Sequence, residues 1–244
     1  MGSIAASTRI NLFSLIAGLQ RELATCSVLE DAAQKCTEAF YKEFKDSLAL
    51  TRVYVTVPYS QLPAPNQRFV EDLAQSKQLA VRPNTPVLSL VATSGSKAEW
   101  NNRRSSQGHV GIPLVSSDFA DSIPMVSRLL KDLSAELSWL DLPEPGLNAV
   151  KSDFSSLFHV LDAKTTIDSR NRKIIPAQDF VDEQSVKTVF GVGGSYSTGA
   201  LFAILFFTRE ELTKESAERF MPVCTTFKSA TTPMITSNQI FRTN

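Results

Sequence analysis

The clearest hydrophobic pattern of the chain lies near its C-terminal end. Residues 200–207 are eight apolar residues without a break, as expected for a strand buried on both faces. A strand's period of two puts alternate residues on opposite faces: Leu201, Ala203, Leu205 and Phe207 on one, Phe202, Ile204 and Phe206 on the other. The preceding segment, residues 186–192, is rich in β-branched and aromatic residues, and Gly193, Gly194 and Gly199 surround the link. We therefore predict a central antiparallel hairpin over residues 186–207.

Helical spacing appears towards both ends of the chain. Near the N-terminus the apolar stripe consists of Leu12, Leu15, Ile16, Leu19 and Leu23. This helix either packs on its own domain or pairs with a second copy of the chain. Ser27 and Glu30 form a capping box that predicts a second helix to about Lys45. Thr208 and Glu211 form another, which predicts a final helix directly after the hairpin, ending at Pro233.

The middle of the chain alternates between strand and helix patterns. A half-exposed strand is predicted over 50–57, and further strands over 86–93, 109–115 and 156–167; Pro113 assigns the third to a sheet edge or a bulge. Helices are predicted over 66–78 and 117–140, followed by a break at 142–146 and an ambiguous piece at 147–154. The order indicates an α+β fold, with an antiparallel sheet of about five or six strands flanked by helices. We divide the chain into an N-terminal helix (1–27, a possible dimerisation element), a core domain (28–235) and a disordered tail (236–244).

The composition is that of an ordinary soluble globular protein, with 43% hydrophobic and 20% charged residues. Lys plus Arg and Asp plus Glu both number 25, so no basic footprint predicts binding to nucleic acid or to a membrane. The three cysteines are scattered and odd in number, which favours a reducing compartment. No signal peptide is recognisable. We expect a cytoplasmic protein.

The search for chemistry finds no catalytic motif, and an enzyme is not expected. Tyr196 stands where a dinucleotide-binding fingerprint needs its third glycine, so the glycines of residues 191–194 are assigned to the turn. His109 and His159 are the only histidines and fall on different predicted strands, and no cysteine pair has metal-ligand spacing. Cys36 lies on an apolar helix stripe, which favours a buried, inert thiol.

The polar loop at residues 97–107 is the best candidate for a ligand site. It combines an aromatic residue with amides and arginines, groups that together line small-molecule pockets. The predicted ligand-binding residues are Trp100, Asn101, Arg103 and His109, with Arg103 as the contact to an anionic or carbonyl group. In the competing interpretation, Trp100 plugs the edge of the core and Arg103 stays on the surface, paired with a carboxylate such as Glu99.

Several segments together carry a resemblance to a known family. They are Trp100–Arg103, Gly108–Leu114, Ile123–Met125, Ile175–Val181 and Val189–Gly194. With these segments the chain resembles, from about residue 28 to residue 232, a group of bacterial GAF-like sensory domains found upstream of histidine kinases and related signalling outputs. The resemblance implies a GAF-like antiparallel sheet flanked by helices, with a ligand-sized cavity on one side. It transfers no ligand, cofactor or catalytic residue.

The resemblance therefore predicts a sensor that binds an unidentified small molecule and relays a change through its terminal helices. The expected partners are a second copy of the chain and a histidine kinase or another signalling output, as in a two-component system. The sequence contains no kinase, cyclase or DNA-binding module, which fits either a stand-alone regulator or a fragment. Two alternatives remain: a haem or metal gas sensor that uses His109 or His159, and a thiol-based enzyme on the same scaffold.

Overall fold

In the computed structural model, residues 2–106, 108–133, 137–142 and 154–242 are described. The predicted break at 142–146 and the ambiguous piece at 147–154 lie almost entirely outside these ranges. The helices are α1 (Arg9–Leu23), α2 (Leu29–Glu43), α3 (Ala64–Ser76), α4 (Ser117–Ser122), α5 (Pro124–Asp132), α6 (Gln178–Glu183), α7 (Lys214–Glu218) and α8 (Met221–Thr236). The strands are β1 (Leu48–Pro58), β2 (Pro86–Gly95), β3 (Gly111–Pro113), β4 (Ser155–Val160), β5 (Thr188–Ser195) and β6 (Leu201–Thr208).

The described strands form a six-stranded antiparallel sheet in the order β3-β2-β1-β6-β5-β4, with helices on both faces. The predicted α+β class and the antiparallel sheet flanked by helices are confirmed. Helices α1, α2 and α8 cover one face, and α4, α5 and α6 cover the other. The two hydrophobic clusters divide β6 as predicted, with Phe206 in one and Leu205 in the other. The sheet therefore separates two different cores.

The predicted central hairpin is present as β5 and β6, and every residue of both strands is buried. Gly199 lies in the turn with a φ of 81°. Gly193 and Gly194, assigned to the turn from sequence, instead lie inside β5. A Cβ at Gly193 would come within 2.3 Å of the Phe202 carbonyl oxygen, and one at Gly194 within 2.1 Å of the Phe154 carbonyl oxygen. These two glycines permit a close approach of backbone from the neighbouring chain segments.

Strand β1 differs from the prediction. It was expected to be half exposed, but it is central in the sheet, between β2 and β6, and almost fully buried. Its polar residues face the interior of the protein rather than water. Strand β3, in contrast, is the edge strand that Pro113 predicted, although it has only three residues and His109 lies before it.

The terminal helices pack on the same domain. In α1 the side chains of Leu12, Ile16, Leu19 and Leu23 are buried against α2 and α8. The stripe is thus used within the chain, as the first of the two interpretations expected. The opposite face of α1 leaves Ile10 and Phe13 exposed, at 78% and 72%.

The start of α2 is capped differently from the prediction. Ser27 and Glu30 do not form a capping box, because Val28 is the N-cap and makes no side-chain cap bond. Instead, the backbone N–H groups of Leu29 and Glu30 donate to the carbonyl oxygens of Gln239 and Ile240, at 2.9 Å each. A helix start always needs such acceptors. Residues 237–242, assigned to a disordered tail, therefore lie against α2 with Ile240 only 7% exposed.

The helix after the hairpin also begins later than predicted. The Thr208 hydroxyl accepts a bond from the N–H of Glu210, and α7 begins at Lys214, capped by the side chain of Thr213. Pro233 lies inside α8, which continues to Thr236. Within the described ranges, no helix combines the length and the apolar character needed to cross a membrane.

Candidate functional site

A cavity of about 320 Å³ lies on one face of the sheet, between the strands and the segments that cover them. Residues of β1, β2 and β6 form its floor, and α5, the start of α6 and the residues before β3 form its walls. The apolar lining residues include Leu50, Leu88, Ile112, Met125, Leu129, Ile175, Phe180, Leu205 and Phe207. Pro176 and Ala177 line the cavity and are exposed, so the cavity opens to solvent beside them. Its volume lies at the lower end of the roughly 300–1,000 Å³ of small-molecule pockets.

The segments that carry the family resemblance surround this cavity. Four of the five contribute lining residues: Trp100; Gly108, His109 and Ile112; Ile123 and Met125; and Ile175, Pro176, Ala177 and Phe180. They are distant in sequence and belong to different loops, strands and helices. The fold therefore brings together the residues that stood out separately in the sequence.

The structure places Trp100 in the lining of the cavity. Its ring packs edge-on against Phe180, with the ring centroids 5.5 Å apart, and Phe180 packs in the same way against Phe207. The close approach of the Trp100 ring requires a glycine at position 95, because a Cβ there would come within 2.9 Å of the Trp100 Cε3. Three aromatic rings thus form one side of the cavity.

Arg52 and Tyr54 are the polar groups of the cavity floor, and sequence reasoning missed both. They are neighbours on the same face of β1. The guanidinium of Arg52 donates from Nη1 to the Tyr54 hydroxyl at 3.2 Å and from Nη2 to the Ser106 hydroxyl at 3.0 Å. Its Nε is buried without a hydrogen-bond partner. The alternation of polar and apolar residues in β1 could have identified them, had the polar side been assigned to a cavity.

His109 lies at the entrance of the cavity, next to the positive charge of Arg52. The residue is exposed to solvent, although neighbouring protein atoms partly desolvate its ring. This burial lowers the pKa of His109, and the charge of Arg52 lowers it further. The backbone of His109 adopts a left-handed conformation with a φ of 50°, after Gly108 at 69°. Such a conformation in a non-glycine residue carries strain, and it brings this side chain to the cavity.

Asn101 and Arg103, the other two predicted ligand-binding residues, do not line the cavity. The side chain of Asn101 is used within its own loop: its Oδ1 accepts from the N–H of Gly95 and its Nδ2 donates to the carbonyl of Lys97, both at 3.0 Å. Arg103 points away from the cavity and is only 6% exposed. The position of Arg103 thus fits neither interpretation made from the sequence, a ligand contact or a surface ion pair with Glu99.

Arg103 is instead the centre of a buried polar cluster, the latch, formed with Glu30, Asn66 and Phe241. Its Nη2 donates to Glu30 Oε2 at 2.9 Å and its Nη1 donates to Asn66 Oδ1 at 3.3 Å. Its guanidinium carbon lies 4.8 Å from the centre of the Phe241 ring. Burial favours a higher pKa for Glu30, but the bonds from Arg103 and from the N–H of Arg242 prevail and lower it. The latch joins the loop to α2, to α3 and to the last residues of the chain.

His159, Cys36 and Cys224 lie outside the cavity and are held among other residues of the fold. His159 on β4 donates from Nε2 to the carbonyl of Leu212 at 2.8 Å. Cys36 and Cys224 are buried in the cluster on the opposite face of the sheet, and burial raises the pKa of Cys36 far above its ordinary range. Over the described ranges, no group of three or more His, Cys, Asp or Glu residues is arranged to hold a metal ion.

A second depression, of about 570 Å³, lies near the connection between β4 and β5. Its lining includes Lys164 and Asp182, which form an ion pair at 2.7 Å. Both side chains are largely exposed, so this is a solvated surface rather than a dry binding site.

No family model matches the sequence, and no curated protein matches it at a significant level. Solved structures that are similar include the phycoerythrobilin-bound GAF domain of a cyanobacterial phytochrome, with a TM-score of 0.46 and 13% identity over 96% of this chain and 99% of that one. A phycocyanobilin-bound GAF domain of a cyanobacterial phytochrome has a TM-score of 0.48 and 12% identity, over 95% of this chain and 98% of that one. A bacteriophytochrome from the photosynthetic bacterium R. palustris has a TM-score of 0.47 and 9% identity, over 93% of this chain and 39% of that one. At such identities and TM-scores, these similarities carry no information about the ligand or role of this chain.

Proposed function

We propose that this chain is a GAF-like sensory domain, which binds a small molecule in the cavity and relays its presence to the terminal segments. One observation carries the proposal: a single loop takes part in both the cavity and the latch. This cavity loop, residues 96–106 and 108–110, carries Trp100 and His109 at the cavity and Arg103 in the latch.

The proposed relay is a short series of direct contacts. Arg52 lines the cavity and binds Ser106 of the cavity loop at 3.0 Å. Three residues earlier in the same loop, Arg103 binds Glu30 at the start of α2. Glu30 in turn accepts a bond from the backbone N–H of Arg242 at 2.9 Å. A ligand that moves Arg52 or the cavity loop would change how the last residues of the chain contact α2.

The proposed output acts on the terminal segments. Helix α1 packs on α2 and α8, so a shift of α2 would be transmitted to both ends of the chain. The exposed Ile10 and Phe13 on α1 support a contact with a second copy, and a histidine kinase or a related protein is the proposed signalling partner. Cytoplasmic location belongs to the same proposal.

Occupancy of the cavity can be tested with the protein as purified. We expect native mass spectrometry to find a co-purified small molecule, and Ala177→Trp to lose it, because the new ring would block the exposed entrance. The matched control is Ala24→Trp, at an exposed alanine that does not line the cavity. A molecule retained by Ala177→Trp would place its binding elsewhere.

The relay can be tested separately, with indole as a neutral apolar probe. Coupling between two sites is reciprocal, so a change in the latch must alter affinity at the cavity if the two are linked. Phe241→Ala removes the ring that packs on Arg103, and we expect it to change the Kd of indole by about fivefold or more, the lower end of typical coupling energies. Leu161→Ala removes an exposed apolar side chain outside the latch, the cavity and α1, and should leave the Kd unchanged. Equal affinities in both variants would reject the relay.

The two alternative functions can be separated from this one by spectroscopy and reactivity. A visible absorption band in the purified protein would favour a haem or another coloured cofactor, with His109 as the histidine at the cavity. A thiol-based enzyme would need a reactive cysteine, whereas Cys36 and Cys224 are buried away from the cavity. Loss of a measured activity on replacement of the cysteines would be needed to favour the thiol function.

A further inference from the structure

The cavity holds a positive charge that no carboxylate of the described residues neutralises. Arg52 lines it, and the lining residues include no Asp or Glu. Among the described residues, its guanidinium donates to the hydroxyls of Tyr54 and Ser106, which are neutral acceptors. Within the described part of the chain, Arg52 takes part in no ion pair. A guanidinium in a partly dry site usually has an anionic partner, because desolvation of an unpaired charge is costly.

Within the described residues, the donors of Arg52 are also incompletely used. A guanidinium has five N–H donors, and the bonds formed there are the two to Tyr54 and Ser106. The two hydroxyls hold the group in place on the cavity floor. A carboxylate bound here would accept charge-assisted hydrogen bonds from a donor that is already oriented.

The remaining lining determines the rest of the ligand. Trp100, Phe180 and Phe207 present aromatic edges, and the surrounding residues are mostly aliphatic. Ring edges of this kind pack well against another ring, and 320 Å³ leaves room for a small molecule only. His109 can supply one neutral hydrogen-bonding group at the entrance, but a second permanent positive charge is absent from the described lining. The site therefore suits one negative charge better than two.

We propose that the cavity binds a small monocarboxylate with one or two aromatic rings, its carboxylate against Arg52 and its ring against Trp100 and Phe180. This ligand class deepens the sensory function proposed above and rests on the same cavity. A second copy of the chain, a metal or a redox cofactor is not required.

The test compares three probes by titration calorimetry on the full chain: indole-3-acetate, its neutral amide indole-3-acetamide, and phenyl phosphate. We expect the acid to bind about ten- to a hundredfold more tightly than the amide, the effect of one charge-assisted hydrogen bond. Phenyl phosphate should bind more weakly than the acid at neutral pH, because its second charge has no partner. Arg52→Gln should abolish the preference for the acid, and Arg82→Gln, at an exposed arginine that does not line the cavity, should retain it.

A second variant keeps the test decisive if Arg52→Gln folds poorly. Leu205 pairs directly with Arg52 across the neighbouring strands and also lines the cavity. Leu205→Asp therefore supplies an internal carboxylate next to the guanidinium. It should abolish the preference for indole-3-acetate over indole-3-acetamide, because the new carboxylate would pair with Arg52 in place of the probe's carboxylate.

Each contrary result overturns the assignment. Equal affinities for acid and amide, a preference for phenyl phosphate, or an acid preference that survives Arg52→Gln would reject the monocarboxylate. Failure of all three probes to bind would reject the same ligand class. The sensory function itself is judged separately, by the co-purified molecule and Ala177→Trp.

Discussion

The two faces of the central sheet differ: one is closely packed, and the other borders a cavity. On the face covered by α1, α2 and α8, the rings of Phe40, Phe190, Phe206 and Phe220 contact one another with centroids 4.9–6.0 Å apart. On the opposite face, residues next in sequence surround a cavity with Arg52 on its floor. One face is packed for stability, and the other leaves a space that a ligand can fill.

The comparison also shows why β1 was misread. Alternating polar and apolar residues predict a strand with one wet face, and the polar residues other than Thr51 do share one side. In this protein that side contains Arg52, Tyr54 and Thr56, all inside the fold. The same sequence pattern arises when polar side chains line an internal cavity and when they face solvent. In both cases a polar side chain stands at every second position.

The largest expected difference between the faces comes from one substitution made at two adjacent residues of β6. Phe206→Asp puts a carboxylate among aromatic rings and should unfold the protein, because such a change costs about 4–5 kcal/mol or more of the roughly 5–15 kcal/mol that stabilise a domain. Leu205→Asp puts the same carboxylate opposite Arg52 and should leave a folded protein. Thermal melting followed by circular dichroism measures both.

Ile204→Asp provides the matched control on the dry face and should resemble Phe206→Asp, because Ile204 belongs to the same cluster. Similar melting temperatures for Leu205→Asp and Phe206→Asp would show that the two faces tolerate a buried carboxylate equally. Melting temperatures near that of the parent for Phe206→Asp and Ile204→Asp would contradict the position of the central hairpin in the core.

The second prediction concerns the latch at the edge of the cavity face. Arg103→Ala leaves Glu30 buried without its main partner, and we expect a loss of about 3–5 kcal/mol in the free energy of unfolding. Replacing both charges, as Arg103→Met with Glu30→Leu, should cost much less, because no uncompensated charge remains. Urea denaturation measures these energies. A loss for the double variant equal to that of Arg103→Ala would show that packing, not charge, explains the effect.

The third prediction uses pH to address the cavity face. Burial and Arg52 lower the pKa of His109 in the folded protein relative to its ordinary value of about 6.5. The unfolded chain therefore takes up this proton first, and the free energy of unfolding should fall as the pH drops below about 6.5. Because His109 is exposed to solvent, this contribution to the free energy of unfolding should be small. His109→Gln should remove it, and an unchanged dependence on pH in that variant would contradict the assignment.

The smallest effect on stability is expected at the exposed face of α1. Phe13→Glu should change the free energy of unfolding by no more than about 0.5 kcal/mol, because the side chain has no packing to lose in the monomer. If α1 forms the proposed contact between two copies, light scattering should show a dimer for the parent and a monomer for Phe13→Glu. A parent that is monomeric at high concentration would reject the contact.

The sequence predicted the sheet better than the site. The apolar run over 200–207 must be covered on both faces, so its position and the orientation of Leu205 and Phe206 follow from period and composition alone. Trp100 could be identified because it stands among amides and arginines in a polar loop, and His109 because it begins the predicted strand that follows this loop. Their side chains reach the cavity over a short distance along the chain.

Arg103 could not be placed in the same way. An arginine next to Trp100 is equally suited to a ligand, to solvent or to a buried carboxylate, and the choice depends on Glu30, which lies 73 residues away. The capping of α2 was also beyond sequence reasoning. Its acceptors are the main-chain carbonyls of Gln239 and Ile240, and carbonyl oxygens are present in every residue.

That main-chain cap has a consequence for hydrogen exchange. Amides in the first turn of a helix ordinarily exchange quickly, since nothing within the helix accepts their bonds. Here the amides of Leu29 and Glu30 are bonded to the end of the chain and should be protected while it stays in place. The protection factors of these two amides therefore measure the free energy of detaching residues 239–242 from α2. A change in them when a ligand is added would give that ligand's effect on the chain terminus directly.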